Sequence, residues 1–160
     1  VITELEIPLS DIFPNSQPFE QIFRIDTLPE MKEYLLKLSE NAVNIITNIQ
    51  NKKVNQAIED IKNYMHENMS DPDMSLSHTA KKFFMNGSYL SRIFKQETGY
   101  TFVEYLTKIR MEKAIKLLKE TDMKAYQVAE SVGISNPHYF SICFKKWTGV
   151  SVNDFKKTEV

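Results

Sequence analysis

A segment of about ten residues occurs twice in this chain of 160 residues, with the two copies separated by about fifty positions. Tyr89-Leu90-Ser91 is matched by Tyr139-Phe140-Ser141. Two further dipeptides are repeated at the same spacing, Phe94-Lys95 with Phe144-Lys145 and Thr98-Gly99 with Thr148-Gly149. Upstream, Ala80 matches Ala129 at a separation shorter by one residue, so the second copy carries one extra residue in its turn. The chain is therefore constrained to a fold that contains two copies of one supersecondary unit.

The repeated segment predicts a short helix with one apolar face and one basic, hydroxyl-bearing face. In the first copy Asn86 is a good N-cap residue. Leu90, Ile93 and Phe94 follow at the i, i+3, i+4 spacing of an apolar stripe. The opposite face has no carboxylate before Glu97 and consists of Ser88, Ser91, Arg92 and Lys95. Such a face suits a polyanion better than plain solvent.

A second helix is expected before the repeated segment in the first copy. Ser75 or Ser77 caps a helix that runs to about Phe84, and Met85-Asn86-Gly87 forms a tight turn. Gly99 then ends the helix that begins after Asn86.

The second copy predicts the same order of elements. A helix over about residues 126–132 leads into a turn at Gly133. Ser135-Asn136-Pro137 caps the next helix, with the proline at its first position, and Gly149 ends it. One last short helix is expected over residues 151–156.

A long helix is expected to join the two copies. Thr101 is its N-cap residue, and the helix runs to about Glu120. Its buried face is expected to consist of Phe102, Leu106, Ile109, Ala114, Leu117 and Leu118.

Composition supports a mostly helical protein, because four glycines and six prolines are few turn residues for a β-rich fold. The single cysteine, Cys143, excludes an internal disulfide and a cysteine-based zinc site, and it fits a cytoplasmic location. No long apolar run, glycine-rich phosphate loop, nucleophile elbow or metal-binding histidine spacing is present. We therefore expect no membrane span, no enzymatic activity, no cofactor and no metal.

The charge is divided unevenly along the chain. The net charge of −1 would by itself argue against a nucleic-acid partner. Residues 1–52, however, carry four basic and eight acidic side chains, whereas residues 53–160 carry sixteen basic and thirteen acidic ones. The part that holds the repeats is therefore mildly basic.

The first 26 residues are the least regular part of the chain. Ile2, Leu5 and Ile7 partly alternate with polar residues, which is typical of an edge strand or an extended tail. Such a piece buries little surface alone, which suggests a missing upstream domain. Thr27-Leu28-Pro29 then starts a helix.

This first helix carries an a/d seam of six apolar residues, Met31, Leu35, Leu38, Ala42, Ile45 and Ile49. One interpretation is a surface helix that packs on an upstream domain, and the other is a helix that forms a homodimer. Leu36, Val43 and Ile46 widen the apolar face, which favours the first interpretation. The next stripe begins at Val54 and is out of phase by one residue, so we expect a hinge or helix break near residues 50–54.

Each copy thus predicts a helix, a tight turn and a second helix, which is helix-turn-helix geometry. The second helix of such a unit enters a DNA major groove N-terminus first, and the first helix braces it across the backbone. Free N–H groups at a helix N-terminus bind phosphate, and Arg92 can donate two hydrogen bonds to a guanine edge. We therefore expect a double-stranded DNA operator as partner.

The sequence also resembles the DNA-binding domain of AraC/XylS-type bacterial transcription regulators, over about residues 54–157. The residues that carry the resemblance are Ser75-Leu76, Ala80, Ser88 to Lys95, Thr98-Gly99, Tyr105-Leu106, Arg110, Ala114, Leu117-Leu118, Val128-Ala129, Val132-Gly133, Tyr139-Phe140, Phe144-Lys145-Lys146 and Gly149. Residues 7–68 are similar to the stretch before this domain in two-component response regulators with an AraC-type output. That likeness implies an upstream receiver domain.

The resemblance implies an all-α fold, with two helix-turn-helix subdomains joined by a long linker helix and preceded by an extra N-terminal helix and a short extended segment. We expect an N-terminal segment over residues 1–52 and the DNA-binding domain over 53–157. The first helix-turn-helix is expected at about 75–97, the linker helix at about 101–120 and the second helix-turn-helix at about 124–147. The two units would contact successive major grooves about 34 Å apart.

The family likeness also implies the residues that face DNA. Those expected to face bases are Ser88, Ser91, Arg92, His138, Tyr139 and Ile142, and further DNA-binding residues are Tyr89, Lys95, Asn136 and Lys145. Ile142 replaces the arginine of the first copy and cannot donate to guanine, so the second unit is expected to discriminate less. RNA polymerase is a further candidate partner. The alternative function is a helical interaction or dimerisation module without sequence-specific DNA binding.

Overall fold

The computed structural model describes residues 22–158, and every regular element within that range is an α-helix. In chain order the described helices are α1 (Leu28–Asn68), α2 (Leu76–Lys82), α3 (Gly87–Thr98), α4 (Phe102–Glu120), α5 (Ala125–Ser131), α6 (Pro137–Thr148) and α7 (Val152–Thr158). The expected all-α fold, with two helix-turn-helix units and a linker helix, is confirmed. The edge strand or extended tail expected near the start lies outside the described residues.

Helix α1 begins as its capping sequence indicates and continues further than expected. The Thr27 hydroxyl oxygen accepts a hydrogen bond from the Glu30 backbone N–H at 3.4 Å. The hinge or break expected near residues 50–54 is wrong, because α1 is continuous from Leu28 to Asn68. Residues 51–53 are polar but include no proline or glycine, so each backbone N–H can still donate within the helix.

The chain divides into two compact units, with the boundary between Asn55 and Gln56. In the N-terminal compact unit, none of the described residues 22–55 is buried, and Leu35, Leu36 and Val43 are exposed. The buried residues of α1 are Ile58, Ile61 and Met65, which lie in the C-terminal compact unit.

The C-terminal compact unit contains both helix-turn-helix pairs, α2 with α3 and α5 with α6. We call the pair α2 and α3 the first unit and the pair α5 and α6 the second unit. The first pair is joined by residues 83–86, and the second pair by residues 132–136. The extra residue in the second turn, expected from the unequal spacing of the repeats, is therefore confirmed.

Both turns close with the same hydrogen bonds but hold different residues at the left-handed position. The N–H of Met85 donates to Ala80 O at 2.8 Å, and the N–H of Ile134 donates to Ala129 O at 2.9 Å. These six-residue closures are typical of a Schellman motif, which needs a left-handed residue after the helix. That residue is Phe84 (φ 54°) in the first turn and Gly133 (φ 76°) in the second.

The first turn therefore lies earlier than the sequence indicated. Met85-Asn86-Gly87 was expected to form the turn, but Gly87 is already the first residue of α3. Asn86 caps that helix in extended conformation, and the reversal occurs at Phe84. An Asn-Gly pair commonly marks a turn, and here the capping preference of Asn86 decides the local structure.

The linker helix α4 buries different faces along its length. Its N-terminal half buries Phe102, Tyr105, Leu106 and Ile109, and its C-terminal half buries Met111, Ala114 and Leu118. Met111 follows Phe102 by nine residues, or about two and a half turns, so the two residues point to opposite sides of the helix. Each half of α4 therefore serves a different helix-turn-helix unit.

Aromatic contacts hold the first helix-turn-helix to the start of α4. The ring of Phe94 lies 5.7 Å from that of Phe102 and 5.4 Å from that of Tyr105, measured between centroids. The second unit packs on the other half of α4 in one buried cluster, formed by Met111, Ala114, Leu118, Val128, Ala129, Val132, Ile134, Phe140, Phe144 and Val152.

Substitutions at the two left-handed turn positions should have opposite effects on stability. Gly133→Ala should lower the free energy of unfolding by more than about 2 kcal/mol, because an added Cβ would lie 2.6 Å from Met69 O in an unfavourable backbone region. Phe84→Gly should raise it by about 0.5–1 kcal/mol, since the Phe84 side chain is 98% exposed and its backbone strain is relieved. Urea unfolding measures both changes.

Phe84→Ala is the matched control, because it removes the same ring but keeps a residue with a Cβ at φ 54°. Its stability should stay near that of the parent chain. A stabilisation by Phe84→Ala equal to that by Phe84→Gly would contradict the backbone explanation.

Candidate nucleic-acid interface

The helices α3 and α6 begin with the same side-chain cap. Asn86 Oδ1 accepts hydrogen bonds from the N–H groups of Ser88 at 2.9 Å and Tyr89 at 3.2 Å. Asn136 Oδ1 accepts from His138 at 2.9 Å and Tyr139 at 3.2 Å. Both caps hold their helix N-termini in matching geometry, so the duplication seen in the sequence extends to individual hydrogen bonds.

The C-terminal ends of α3 and α6 are also alike. Gly99 and Gly149 adopt left-handed conformations (φ 77° and 82°), and their N–H groups donate to Lys95 O and Lys145 O. The Thr98 hydroxyl donates to Phe94 O at 2.6 Å, and the Thr148 hydroxyl donates to Phe144 O at 2.8 Å. Helix lengths are therefore equal, at 12 residues each.

An open groove between α2 and α3 brings most of the expected site residues of the first copy together. Its polar lining includes Ser77, Lys81, Ser88, Ser91, Arg92 and Lys95. Ser91 is half-buried, whereas Ser88, Arg92 and Lys95 are exposed. Ser77 and Lys81 were missed in the sequence, although their i, i+4 spacing on α2 places them on one helix face.

Tyr89 contacts Arg92 rather than lining that groove. The Arg92 guanidinium carbon lies 5.6 Å from the centre of the Tyr89 ring, which is a cation–π distance. This contact restricts the arginine side chain before any ligand is bound.

The equivalent face of α6 is exposed but more apolar. His138, Tyr139, Ile142 and Lys145 are all exposed, with Ile142 at 54% and Tyr139 at 52%. The Ser141 hydroxyl donates to Pro137 O within the helix at 3.0 Å. An exposed isoleucine thus occupies the position that corresponds to Arg92.

Asn136 differs from the other expected site residues because its side-chain oxygen is engaged within the protein. That oxygen accepts from two backbone N–H groups at the start of α6. Its contribution to the site is therefore to fix where His138 and Tyr139 begin the helix, and its amide NH₂ stays available as a donor.

The basic side chains of the two helices are available for an anion. Within residues 22–158 no ion pair engages Arg92, Lys95 or Lys145.

Hydrogen bonds from Thr101 lower the pKa of Glu104 at the start of α4, and the charge of Lys95 contributes to the same shift.

Tyr139 keeps its hydroxyl proton over the physiological pH range. A hydrogen bond with the Cys143 thiol, together with the charge of that group and partial burial, raises the pKa of Tyr139 above its ordinary value of 10.0. The phenol can therefore act as a donor at neutral pH.

The described residues show neither metal-ligand clusters nor spanning helices. Across residues 22–158, no group of three or more His, Cys, Asp or Glu side chains could hold a metal ion. In the same range, no helix is both long enough and apolar enough to cross a membrane.

Comparison with known proteins identifies the family. Residues 79–158, half of the chain, match the family model of a helix-turn-helix domain. The C-terminal domain of AraT, a response regulator from Geobacillus stearothermophilus, has 41% sequence identity and a TM-score of 0.63, covering 64% of this chain and 84% of that one. The chain belongs to the family of AraC-type helix-turn-helix DNA-binding domains.

Two YesN proteins are also similar. The C-terminal domain of the two-component response regulator YesN from Fusobacterium nucleatum is 37% identical with a TM-score of 0.62, covering 63% of this chain and 98% of that one. The transcriptional regulatory protein YesN of Bacillus subtilis strain 168 is 41% identical over 96 residues, which are 58% of this chain and 26% of that protein. The chain spans between 20% and 30% of the length of the first three curated relatives.

Removal of the second cap should destabilise the second unit. Asn136→Ala should lower the free energy of unfolding by about 1 kcal/mol, because two N–H groups at the start of α6 lose their acceptor. Asn136→Asp keeps an acceptor oxygen and should stay within about 0.5 kcal/mol of the parent chain. Urea unfolding followed by circular dichroism provides the measurement. Equal stability of the Ala and Asp variants would show that the cap contributes nothing.

Proposed function

We propose that this chain binds double-stranded DNA sequence-specifically as the output domain of a bacterial transcription regulator. The observation that carries the proposal is the pair of exposed, identically capped recognition helices, α3 and α6, in a chain of the AraC-type family. Each helix enters a major groove with its N-terminus first, and the two grooves are successive. The DNA-binding domain is proposed to span residues 53–157.

In the first unit Arg92 supplies the main base discrimination. A guanidinium can donate two parallel hydrogen bonds to O6 and N7 of a guanine. The stacked Tyr89 ring supports the arginine from one side. Ser88 and Ser91 line the same groove and can donate to bases or phosphates.

In the second unit the base-facing residues are His138, Tyr139 and Ile142. Ile142 has no donor and can make only apolar contact, for example with a thymine methyl group. The second unit therefore discriminates less between base pairs than the first.

Phosphate contacts come from both units and carry no sequence information. The side chains of Lys95 and Lys145 provide them. The N–H groups at the starts of α3 and α6 already donate to the capping oxygens of Asn86 and Asn136. Ser77 and Lys81 of α2 extend the phosphate-binding surface of the first unit, because they line the same groove as Arg92.

Arg92→Ala should reduce affinity for the preferred duplex by about 1–3 kcal/mol and relax the preference at one base pair. The preferred duplex is first selected from random double-stranded DNA with the parent chain. Fluorescence anisotropy on that duplex and on the three duplexes with another base pair at each position of the first motif measures both effects. Unchanged affinity and unchanged preference would refute the assignment of Arg92 to a base.

Lys145→Ala is the matched control for a phosphate contact. It should weaken binding to all sequences alike and lower the slope of log affinity against log salt by about 1. A change in base preference instead of salt slope would reverse the two assignments.

We propose further that the domain belongs to a two-component response regulator. The support is the similarity to the C-terminal domains of AraT and YesN, which are response regulators. Phosphorylation of an upstream receiver domain would then govern DNA binding, and RNA polymerase would be a partner at the promoter.

A second candidate function, association of two chains through α1, is favoured by its exposed apolar face. None of the residues from 28 to 55 is buried within the described part of the chain, although six of them form an a/d seam. Among the seam residues, Leu35 has the most exposed side chain, at 43%. A parallel pairing of two such helices would bury this seam and double the number of DNA-binding units.

Leu38→Asp should abolish self-association, because it places a charge in the middle of the proposed seam. Thr47→Asp adds the same charge on the opposite side of α1 and should leave the oligomeric state unchanged. Sedimentation equilibrium over a range of concentrations reports the oligomeric state of all three chains. A parent chain that stays monomeric, or a Thr47→Asp variant that dissociates like Leu38→Asp, would contradict the seam.

A further inference from the structure

The short segment after α1 is held between the linker helix and the turn of the second helix-turn-helix. Arg110 lies on α4 and donates from Nε to Met69 O at 2.9 Å and from Nη2 to Asp71 O at 2.7 Å. The Ser70 hydroxyl donates to Ser131 O at the end of α5 at 2.8 Å. We call these residues, together with Gly133, the clasp.

Gly133 makes the clasp tight. A Cβ added to this residue would lie 2.6 Å from Met69 O, 2.8 Å from Arg110 Nη2 and 2.9 Å from the carbonyl carbon of Ser70. The turn of the second unit therefore packs with its backbone directly against the segment and the guanidinium. No side chain lies between the backbone of Gly133 and the Met69 carbonyl oxygen.

The clasp suits an arginine because the segment continues from the C-terminal end of α1. Met69 directly follows the last residue of α1, so its carbonyl has no partner within the helix, whereas Asp71 O also accepts from the Met74 N–H at 3.2 Å. Half-burial lowers the pKa of Arg110 from its ordinary value, but a guanidinium stays protonated at physiological pH. Its fork of donors can engage two carbonyls at once, whereas a lysine ammonium offers no fixed fork.

Arg110 also sits where α4 changes its buried face. Ile109 is buried outside the cluster of the second helix-turn-helix, and Met111 belongs to that cluster. Arg110 lies between these two residues, at the point where the buried face of α4 changes.

We propose that Arg110, through the clasp, fixes the second helix-turn-helix relative to the first and thereby sets the spacing of the two DNA motifs that the protein accepts. This inference rests on the proposed function, in which α3 and α6 contact successive major grooves. Arg110 is a positioning residue, because its donors bond to Met69 and Asp71 and reach DNA only through the placement of α6.

The test compares spacing penalties. The duplex selected by the parent chain is remade with one base pair added or removed between its two motifs, which rotates one motif by about 34° relative to the other. A third duplex keeps only the first motif. Arg110→Met retains an unbranched side chain but removes the donors, and circular dichroism establishes that each variant is folded.

The parent chain should bind the altered spacings about tenfold more weakly or worse, because one set of base contacts is lost. Arg110→Met should bind the original duplex more weakly, yet its penalty for altered spacing should fall to about threefold or less. Its affinity for the single-motif duplex should equal that of the parent. Ser70→Ala removes one exposed hydrogen bond and should shift the penalty in the same direction by less, and it carries the test if Arg110→Met does not fold.

Three outcomes would overturn the proposal. Arg110→Met could keep the parent's spacing penalty, in which case the clasp does not set spacing. It could lose affinity equally on all duplexes, the single-motif duplex included, which would assign Arg110 to DNA contact or to overall stability. A parent chain with no spacing dependence would refute two-groove binding itself, and the proposed function would fail with the inference.

Discussion

The structure of the DNA-binding unit depends on one helix that buries opposite faces at its two ends. Phe102 and Tyr105 of α4 pack against Phe94 of the first helix-turn-helix. Met111 and Ala114 of α4 belong to the buried cluster of the second. Because the buried residues of an α-helix share a face only when they recur at about 3.6 residues, this shift in phase separates the cores. Each core can then hold its own recognition helix, and α4 carries both units on one rigid element.

The backbone groups at both ends of α3 and α6 are satisfied within the protein. Asn86 and Asn136 engage two backbone N–H groups each, and Gly99 and Gly149 close the far ends. These caps use backbone groups and the capping residues, and the outer faces of α3 and α6 remain exposed to solvent. Arg92 and Lys145 lie outside every ion pair found among residues 22–158. The same construction presents a basic, hydroxyl-bearing face in the first helix-turn-helix and a more apolar face in the second.

Local features of the fold could be predicted from sequence because single residues encode them. The caps at Asn86 and Thr101 and the stop at Gly99 follow from side-chain chemistry and backbone preference. The predicted break in α1 failed because a change in the phase of apolar residues moves the buried face without ending the helix. The same reasoning missed the shift of face along α4, where Tyr105 and Met111 are buried.

Contacts between residues far apart in the chain could not be predicted in this way, because no single residue encodes them. Phe84 adopts the left-handed conformation that Gly133 adopts in the second copy, and only the comparison of the two turns reveals it. Arg110 could be noted from the family likeness, but its partners are backbone carbonyls about forty positions away, which no pattern of side chains marks. Close packing around Gly133 is likewise a property of the assembled unit.

Phosphate-ethylation interference on the duplex selected by the parent chain tests two-groove binding most directly. The account predicts two clusters of interfering phosphates on one face of the duplex, with centres about 10 base pairs apart. A single cluster, or two clusters on opposite faces, would contradict it.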